Sequence, residues 1–373
     1  MRKMRARNAA AGVVLALAAL TGCQAGGTEP LAPSAQKSTK AAATPPIRHV
    51  FVVNLENKSY AHTFGPDSPA PYLSRTLPSQ GALLTQFYGI AHHSLGNYLA
   101  QISGQAPNPA TQADCRQFTR FVATGWQAPD QAVGTGCYYP TGVRTIANQL
   151  DDARLTWRGY MEDMGSPCRR PALDEPDTTQ AARPGDQYAA RHNPFVYFQA
   201  ISPSSCRRNV VDLDRLQSDL SRPATTRNLT YITPNLCNDG HDSPCVDGQP
   251  GGLESADAWL RTWVPRITSS PAFEKDGVLV VTFDEAETNQ PGGSDACCGQ
   301  GTSPNTEQAG REGPGGGRIG AVVLSPFVEP GTRSAEPYNQ YSLLRTMEAV
   351  FGLPGLGYAS TVRSFGGDVW TRG

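Results

Sequence analysis

The feature that most constrains the fold is a set of short, continuous apolar runs separated by helical patterns. Within each run, β-branched and aromatic residues follow one another without the alternation of a half-exposed strand, which indicates a sheet buried on both faces. Because helical patterns lie between the runs, the sequence predicts an α/β fold with a mostly parallel central sheet and helices on both faces. The predicted strands are 49–53, 155–160, 229–233, 278–283 and 319–324, and the predicted helices are 72–79, 145–153, 212–220, 255–269 and 341–351.

The first 46 residues are typical of an export signal followed by a tether. A basic start leads into an apolar run that is shorter than the roughly 20 residues needed to span a bilayer. The run ends in L-T-G-C, which resembles a bacterial lipobox. We therefore expect residues 1–22 to be a lipoprotein signal peptide and Cys23 to be lipidated at the outer face of the cell membrane. Ordinary cleavage and secretion is the alternative. Residues 23–46 are rich in Ala, Pro, Thr and Ser and predict a flexible tether, which leaves 47–373 as the folded domain.

The charge balance excludes one class of partner. The 373 residues carry a formal net charge of −1, so the chain has no global field that attracts nucleic acid. It also lacks a basic stripe interleaved with aromatic residues, and we therefore expect no nucleic-acid partner. Affinity for an anionic substrate would have to come from a local source, either a metal ion or a helix N-terminus.

Eight cysteines remain when Cys23 is set aside, and in an exported chain they indicate up to four disulfide bridges. Proximity in sequence favours Cys115–Cys137, Cys168–Cys206 and Cys237–Cys245. The adjacent Cys297 and Cys298 either bridge each other or pair elsewhere. A cysteine-based zinc site is the competing interpretation, although the spacings lack the usual C-x-x-C pairs.

A long segment at 287–318, rich in Gly, Pro and Asn, follows the fourth predicted strand. It exceeds the length of an ordinary connection. The segment is either a rim loop or lid over a site, or a disordered insertion pinned by Cys297 and Cys298.

Polar and acidic residues follow several of the predicted strands. Ligands bind α/β sheets at the carboxyl ends of the strands, so we expect these residues to lie near one another. They are Glu56, Asn57, Asp239, His241, Asp284 and Glu285.

A serine precedes the helical pattern in the stretch AHHSLGNYLAQISG. We expect Ser94 at the N-cap of a helix and Asn97 in its first turn. The N-terminus of a helix attracts an anion, and a hydroxyl there can attack a phosphoryl group. An ordinary capping serine without chemistry is the alternative.

Two acidic or amide pairs and this serine form a set of hard oxygen donors that can surround one divalent cation. Such a donor set favours Ca²⁺, Mg²⁺ or Mn²⁺ over Zn²⁺. The ion would lower the pKa of the serine hydroxyl and polarise the phosphoryl oxygen. His192 and His241 are candidates to contact a phosphate oxygen or to protonate the leaving alcohol, and a purely structural role is the alternative for each. The predicted ligands are Glu56, Asn57, Ser94, Asp284 and Glu285.

Other hydrolytic and nucleotide-binding motifs are missing from the sequence. Ser94 does not lie in the G-x-S-x-G turn of a Ser-His-Asp hydrolase. The chain contains no G-x-x-x-x-G-K-[ST] phosphate loop and no C-x-P-x-R segment of a sulfatase.

Several ordered blocks resemble the bacterial phosphoesterase family of acid phosphatases and phospholipases C. HVFVVNLENKSYAHTFG is similar to the opening of that family, and AHHSLGNYLAQISG is similar to the block that carries its nucleophile. ITPNLCNDGHD, VVTFDEAE, VVLSPFVEPG and YNQYSLLRTMEAVFGLPGLGYA follow in the family order. The resemblance extends from about His49 to Ala359 and is nearest to the secreted acid phosphatase and phosphatidylinositol-3-phosphatase type.

The resemblance implies an alkaline-phosphatase-like α/β sandwich and metal-assisted hydrolysis of phosphate monoesters, with Ser94 as nucleophile. Its substrates would be phosphate esters, with phospholipids and phosphoinositides among them. A phospholipase C-type phosphodiesterase on the same fold and an anion-binding surface lipoprotein without catalysis stay open as alternatives. The implied ligands are the five named above, and Asn97, His192, Asp239 and His241 would surround the phosphate.

The sequence departs from the family pattern at three positions. His93 and Gly96 replace proline residues beside the nucleophile, and Gln340 replaces a histidine that often precedes Tyr-Ser-Leu-Leu-Arg. Because glutamine does not titrate, Gln340 can only form hydrogen bonds.

Overall fold

The computed structural model describes residues 44–372. The predicted signal peptide, the predicted lipidation site at Cys23 and the tether up to residue 43 lie outside this range. Within it, none of the helices combines the length and the apolar character needed to cross a bilayer.

Strands and helices alternate along much of the described chain. The strands are β1 (His49–Leu55), β2 (Ala82–Leu84), β3 (Phe87–Tyr88), β4 (Val122–Gln127), β5 (Gln131–Thr135), β6 (Trp157–Met161), β7 (Val210–Asp212), β8 (Leu229–Thr233), β9 (Gly277–Phe283), β10 (Ala321–Leu324), β11 (Thr332–Ser334) and β12 (Tyr338–Asn339). The α-helices are α1 (Tyr60–Phe64), α2 (Leu77–Gln80), α3 (Ser94–Ser103), α4 (Ile146–Asp152), α5 (Pro203–Asn209), α6 (Leu216–Asp219), α7 (Gly252–Thr268), α8 (Pro271–Asp276) and α9 (Gln340–Phe351).

The main sheet has the strand order β11-β2-β10-β9-β1-β8-β6-β7. The five strands from β9 to β7 run parallel, whereas β10 runs antiparallel to both of its neighbours. Every residue of β1, β8, β9 and β10 is buried, which shows that both faces of the sheet centre are covered. The predicted α/β class with a mostly parallel central sheet is therefore confirmed.

The predicted elements agree with the structure to within a few residues. Helix 72–79 is a π-helical turn (Tyr72–Thr76) that continues into α2, and helix 212–220 is a short 3₁₀ turn that continues into α6. α4, α7 and α9 correspond to the other three predicted helices. The five predicted strands correspond to β1, β6, β8, β9 and β10.

Disulfide bridges join all the cysteines from Cys115 to Cys298. The three pairs favoured by sequence proximity are present, and Cys297 bridges Cys298. The alternative of a cysteine-based zinc site is wrong, because these thiols are consumed in the bridges.

The segment 287–318 connects β9 to β10 and contacts the chain on either side of α3. Gln300 Nε2 donates to the Ile90 carbonyl (2.7 Å), and Ser303 Oγ donates to the Pro107 carbonyl (2.6 Å). These contacts attach the segment to the chain immediately before and after the helix that carries Ser94.

Two glycines that end helices allow a matched test of this packing. Gly104 ends α3 with a φ of 67°, and Gly352 ends α9 with a φ of 68°. A Cβ at Gly104 would overlap the Leu356 carbonyl, whereas one at Gly352 would meet no atom of the described chain within 4 Å apart from its sequence neighbours. We expect Gly352→Ala to cost about 1 kcal/mol of unfolding free energy from left-handed strain alone. Gly104→Ala should cost roughly 2 kcal/mol more because of the added overlap. If urea unfolding showed that the two variants lose the same free energy of unfolding, this explanation would be contradicted.

Candidate active site

The carboxyl ends of β1 and β9 place Glu56 beside Asp284. The two strands pair in register up to Leu55 and Phe283, so the residues that follow them emerge at the same edge of the sheet. Asp284 N donates to the Leu55 carbonyl (2.9 Å), and Asn57 N donates to Asp284 Oδ1 (3.0 Å). Parallel pairing thereby brings together two acidic turns that are far apart in sequence.

Ser94 is the first residue of α3, and its hydroxyl donates to Glu56 Oε2 (2.9 Å). The N-cap is His93, so the prediction that Ser94 is the N-cap is wrong by one residue. The reason is that Asp114 Oδ1 accepts from Leu95 N (3.1 Å) and takes over the capping contact. This leaves the serine side chain free to turn toward the strand ends.

Asn97 is buried and bonded to the backbone that precedes α3. Its Oδ1 accepts from Ile90 N (2.8 Å) and Ala91 N (3.0 Å), and its Nδ2 donates to the Ala91 carbonyl (3.0 Å). These bonds fix the turn that delivers Ser94. The structure does not bring the amide to the cavity that Ser94 lines, and a contact with phosphate stays a prediction.

Asp239, in the loop after β8, is a further acidic residue that contacts Glu56. Asp239 Oδ2 lies 3.0 Å from His192 Nδ1, and Asp239 Oδ1 accepts from His241 N (2.8 Å). The Asp239 carbonyl also accepts from Glu56 N (2.9 Å). The Cys237–Cys245 bridge closes this loop. Asp239, His192 and His241 are thus brought together around Glu56.

A cavity of about 480 Å³ opens at Ser94. Glu56, Asp284 and His192 lie behind it and are at most 2% exposed. The segment 287–318 contributes part of the wall. The lining residues are Asn57, His92, His93, Ser94, Asp114, His241, Glu285, Ala286, Glu287, Thr288, Asn289 and Glu312.

Glu285, one of the predicted ligands, forms a hydrogen bond with His92 Nδ1 in the cavity wall. His92 Nε2 in turn lies 2.8 Å from the Gly293 carbonyl. The pair ties the tip of β9 to the start of α3 and to the segment 287–318.

Sequence reasoning missed Tyr98, which lies within the helical pattern that follows Ser94. Its hydroxyl donates to Glu56 Oε1 (2.6 Å), and its ring stacks on His192 with centroids 5.3 Å apart. The available signal was its position four residues after Ser94, which places both side chains on one face of the helix.

Sequence reasoning also missed two basic residues. Arg191 is only 3% exposed, and its Nη2 lies 3.2 Å from His241 Nε2. Lys58 Nζ donates to the Asn57 carbonyl (3.1 Å) and to the Gly240 carbonyl (2.8 Å), which joins two site loops. The signal for Arg191 was its place beside His192 in sequence.

Burial dominates the electrostatics of the site. It raises the pKa of Glu56, and repulsion from Asp284 raises that pKa further. Burial likewise raises the pKa of Asp239 and of Glu285, and it raises the pKa of Asp284 to about 6. The pKa of His192 is lowered, first by burial and then by the charge of Arg191. Burial thus disfavours the charged forms of these carboxylates, and binding of a cation among them would stabilise those charged forms.

The side chains fit a divalent ion. Within residues 44–372, two buried atoms of the cluster, His192 Nε2 and Asp284 Oδ2, have no hydrogen-bond partner. His192 Nε2 lies 3.3 Å from Glu56 Oε1 without forming a hydrogen bond. Glu56, His192 and Asp239 offer ligand atoms within 4.8 Å of one another. Carboxylate oxygens and an imidazole nitrogen are suitable ligands for such an ion.

Gln340 is buried behind Asp284. Its Nε2 donates to the carbonyls of Phe283 (2.8 Å) and Asp284 (2.9 Å), and its Oε1 accepts from Gln101 Nε2 (2.9 Å). The residue supports the tip of β9 and does not line the cavity.

Comparison with known families identifies the chain. The model of the Phosphoesterase family matches residues 68–354, which is well over half of the sequence. The chain belongs to the Phosphoesterase family. The matched region includes Ser94, Asp239 and Asp284, while Glu56 and Asn57 precede it.

Characterised relatives of this member of the Phosphoesterase family include phosphatases from fungi and bacteria. An acid phosphatase of Aspergillus fumigatus is 26% identical over 82% of this chain and 55% of its own length. A phosphatidylinositol-3-phosphatase of Mycobacterium tuberculosis is 26% identical over 90% of this chain and 87% of its own length. The chain spans about half the length of the Aspergillus relative.

Solved structures with similar folds are more distant in sequence. Ps i-CgsB superposes with a TM-score of 0.50 at 12% identity, over 87% of this chain and 76% of that one. A protein of the alkaline phosphatase superfamily from Vibrio parahaemolyticus has a TM-score of 0.49 at 12% identity, over 84% and 69% of the two chains. The similarity to Ps i-CgsB concerns the fold alone.

Proposed function

We propose that this member of the Phosphoesterase family hydrolyses phosphate monoesters through Ser94, in the manner of an acid phosphatase. The observation that carries the proposal is the hydrogen bond from Ser94 Oγ to Glu56 Oε2 (2.9 Å) at the opening of an otherwise buried acidic cluster. A hydroxyl bonded to a carboxylate has a proton acceptor in place, which is the requirement for an activated nucleophile. The relatives named acid phosphatase and phosphatidylinositol-3-phosphatase support the same reaction class.

The reaction proceeds in two displacements. Ser94 Oγ forms a bond to phosphorus as the bond from phosphorus to the alcohol oxygen breaks, and the serine proton passes to Glu56 Oε2. The product is a phosphoserine. A water molecule then attacks phosphorus and gives a proton to the group that protonated the alcohol, while the serine oxygen leaves and takes back its proton from Glu56 Oε2, which releases phosphate. His241 lines the cavity and is our candidate to protonate the leaving alcohol. His192 is buried behind Glu56, so we assign it to hold Asp239 in place through its Nδ1.

A divalent ion is the second part of the proposal. Glu56, Asp284 and Ser94 would hold it, and Asn57 and Glu285 stand beside them in the cavity wall. When bound, a Ca²⁺, Mg²⁺ or Mn²⁺ ion supplies positive charge that lowers the pKa of the serine hydroxyl and balances the phosphoryl oxygens. The buried, unpartnered Asp284 Oδ2 is the feature that supports this ligand set best.

Replacing the nucleophile tests the first part. We expect Ser94→Ala to lower kcat/KM for an aryl phosphate by about 10⁴-fold or more, since the covalent step has no substitute. Rapid quenching of the unmodified enzyme with a labelled monoester should place the phosphate on Ser94 by mass spectrometry. An aryl phosphodiester assayed in parallel should be turned over more slowly than the monoester.

The matched control is Ser103→Ala, on the same helix. Ser103 is buried like Ser94, but its hydroxyl donates to the Leu99 carbonyl (2.6 Å) and lies away from Glu56. This variant should keep near-native turnover. Near-native activity in Ser94→Ala would remove Ser94 as nucleophile, and a faster diester reaction would favour the phospholipase C-type alternative.

Replacing Asp284 tests whether this residue helps to bind the proposed divalent ion. Asp284→Asn removes a buried negative charge, so we expect the ratio of bound divalent ion to protein to fall severalfold in elemental analysis after dialysis. Asp257→Asn is the control, because Asp257 is a buried carboxylate on α7 that accepts from Leu73 N (2.8 Å). An unchanged ion content in Asp284→Asn would count against the proposed ligands.

We also infer that the protein is exported and attached to the membrane through Cys23. Four disulfide bridges support an oxidising location, and the relative named phosphatidylinositol-3-phosphatase supports a phospholipid or phosphoinositide as substrate. After expression in a bacterial host, intact-mass measurement should show a diacylated N-terminus at Cys23, and Cys23→Ala should release the protein from the membrane fraction. An unmodified protein cleaved elsewhere would support simple secretion.

A further inference from the structure

Helix α3 carries a polar stripe on the face that points at the strand ends. Tyr98 and Gln101 follow Ser94 at intervals of four and three residues, so the three side chains lie along one side of the helix. All three are buried, and each forms hydrogen bonds with side chains from other elements. A buried polar stripe on a helix is costly unless its groups are fully partnered, which makes the partners informative.

The first partner of the stripe is Glu56, whose two carboxylate oxygens are shared between two residues of the helix. Ser94 Oγ donates to Oε2 (2.9 Å), and Tyr98 donates to Oε1 (2.6 Å). The Tyr98 hydroxyl therefore fixes the rotation of the carboxylate and directs Oε2 toward the nucleophile. The Tyr98 ring also stacks on His192 at an interplanar angle of 9°. This stacking holds His192, whose Nε2 also lies near Glu56 Oε1.

The second partner of the stripe is the tip of β9, reached through two amides. Gln101 Nε2 donates to Asn54 Oδ1 (3.0 Å) on β1 and to Gln340 Oε1 (2.9 Å) on α9. Gln340 Nε2 then donates to the carbonyls of Phe283 and Asp284. Tyr231 from β8 donates to Gln101 Oε1 (2.6 Å) and completes the network.

We propose that Tyr98 and the Gln101–Gln340 pair are positioning residues that set the separation of the Glu56 and Asp284 carboxylates for one ion. Tyr98 acts on Glu56 directly, and Gln101 acts on Asp284 through Gln340. The proposal rests on the proposed function, because it concerns the ion that the two carboxylates would share.

The amide of Gln340 can hold the carbonyls of Phe283 and Asp284 better than an imidazole at the same position could. Gln340 donates two hydrogen bonds from Nε2 and accepts one at Oε1 at the same time. A neutral imidazole has one donor and one acceptor, so it could not satisfy both carbonyls while accepting from Gln101.

The first test removes only the Tyr98 hydroxyl. In Tyr98→Phe the ring stays and the bond to Glu56 Oε1 is lost, so we expect the dissociation constant for Mn²⁺ to rise about 10- to 100-fold. Calorimetric titration with Mn²⁺ measures this dissociation constant independently of activity. Turnover of an aryl phosphate should be recovered in large part as Mn²⁺ is raised, because the catalytic groups are intact.

Tyr160→Phe is the matched control, because Tyr160 is a buried tyrosine that donates to Asp219 Oδ2 (2.7 Å). It should leave the Mn²⁺ constant unchanged even if the melting temperature falls. An unchanged Mn²⁺ constant in Tyr98→Phe overturns the inference while the proposed function stands. A native protein that neither binds Mn²⁺ nor turns over phosphate esters overturns the proposed function itself.

The second test addresses the amide pair. Gln340→Met keeps the volume of the side chain and removes its hydrogen bonds, so the Mn²⁺ constant should rise about tenfold. Gln149→Met is the control, because Gln149 is a buried glutamine on α4 that donates to the Pro354 carbonyl (2.7 Å). A folded Gln340→Met variant with a native Mn²⁺ constant removes the pair from the proposal, and if this variant does not fold the Tyr98→Phe result decides.

Discussion

The structure depends on the cost of burying several carboxylates at one edge of a parallel sheet. Glu56, Asp239 and Asp284 are fully buried, and burial raises the pKa of each of them. Such a cluster persists only if hydrogen bonds and positive charge compensate for the lost water. The surroundings supply both, since hydroxyls donate to Glu56, backbone amides donate to Asp239 and Asp284, and the buried Arg191 lies close by.

The same constraint explains why polar residues occupy the interior between α3, α9 and the sheet. A carboxylate at the end of a strand can rotate, and its direction decides whether its oxygens meet those of a neighbouring strand. Tyr98 fixes Glu56 from the helix, while the glutamines at 101 and 340 hold the backbone at Asp284. The rigid part of the site is therefore built on helices and strands, and the more open wall comes from the segment 287–318.

Much of this site could be predicted from local patterns, because the residues that follow parallel buried strands emerge at the same edge of the sheet. That rule correctly grouped Glu56 with Asp284, and the helical pattern after Ser94 correctly predicted α3. It failed for the N-cap, because the capping group is Asp114, which is distant in sequence from the start of the helix. It also passed over Tyr98, since an aromatic residue on the buried face of a helix looks the same whether it packs or donates a hydrogen bond.

The sequence by itself determined five strands of the main sheet, the helices that correspond to α3, α4, α7 and α9, the bridges between neighbouring cysteines and the family, because these depend on local periodicity, short loops and linear motifs. The tertiary structure alone decided which oxygen of Glu56 faces the serine, that Glu285 pairs with His92, and that Gln340 supports Asp284 from behind. These are contacts between residues 38 to 193 positions apart. Only the packing of α3 and α9 against the sheet fixes them, because a hydrogen bond needs its atoms placed to within a few tenths of an ångström.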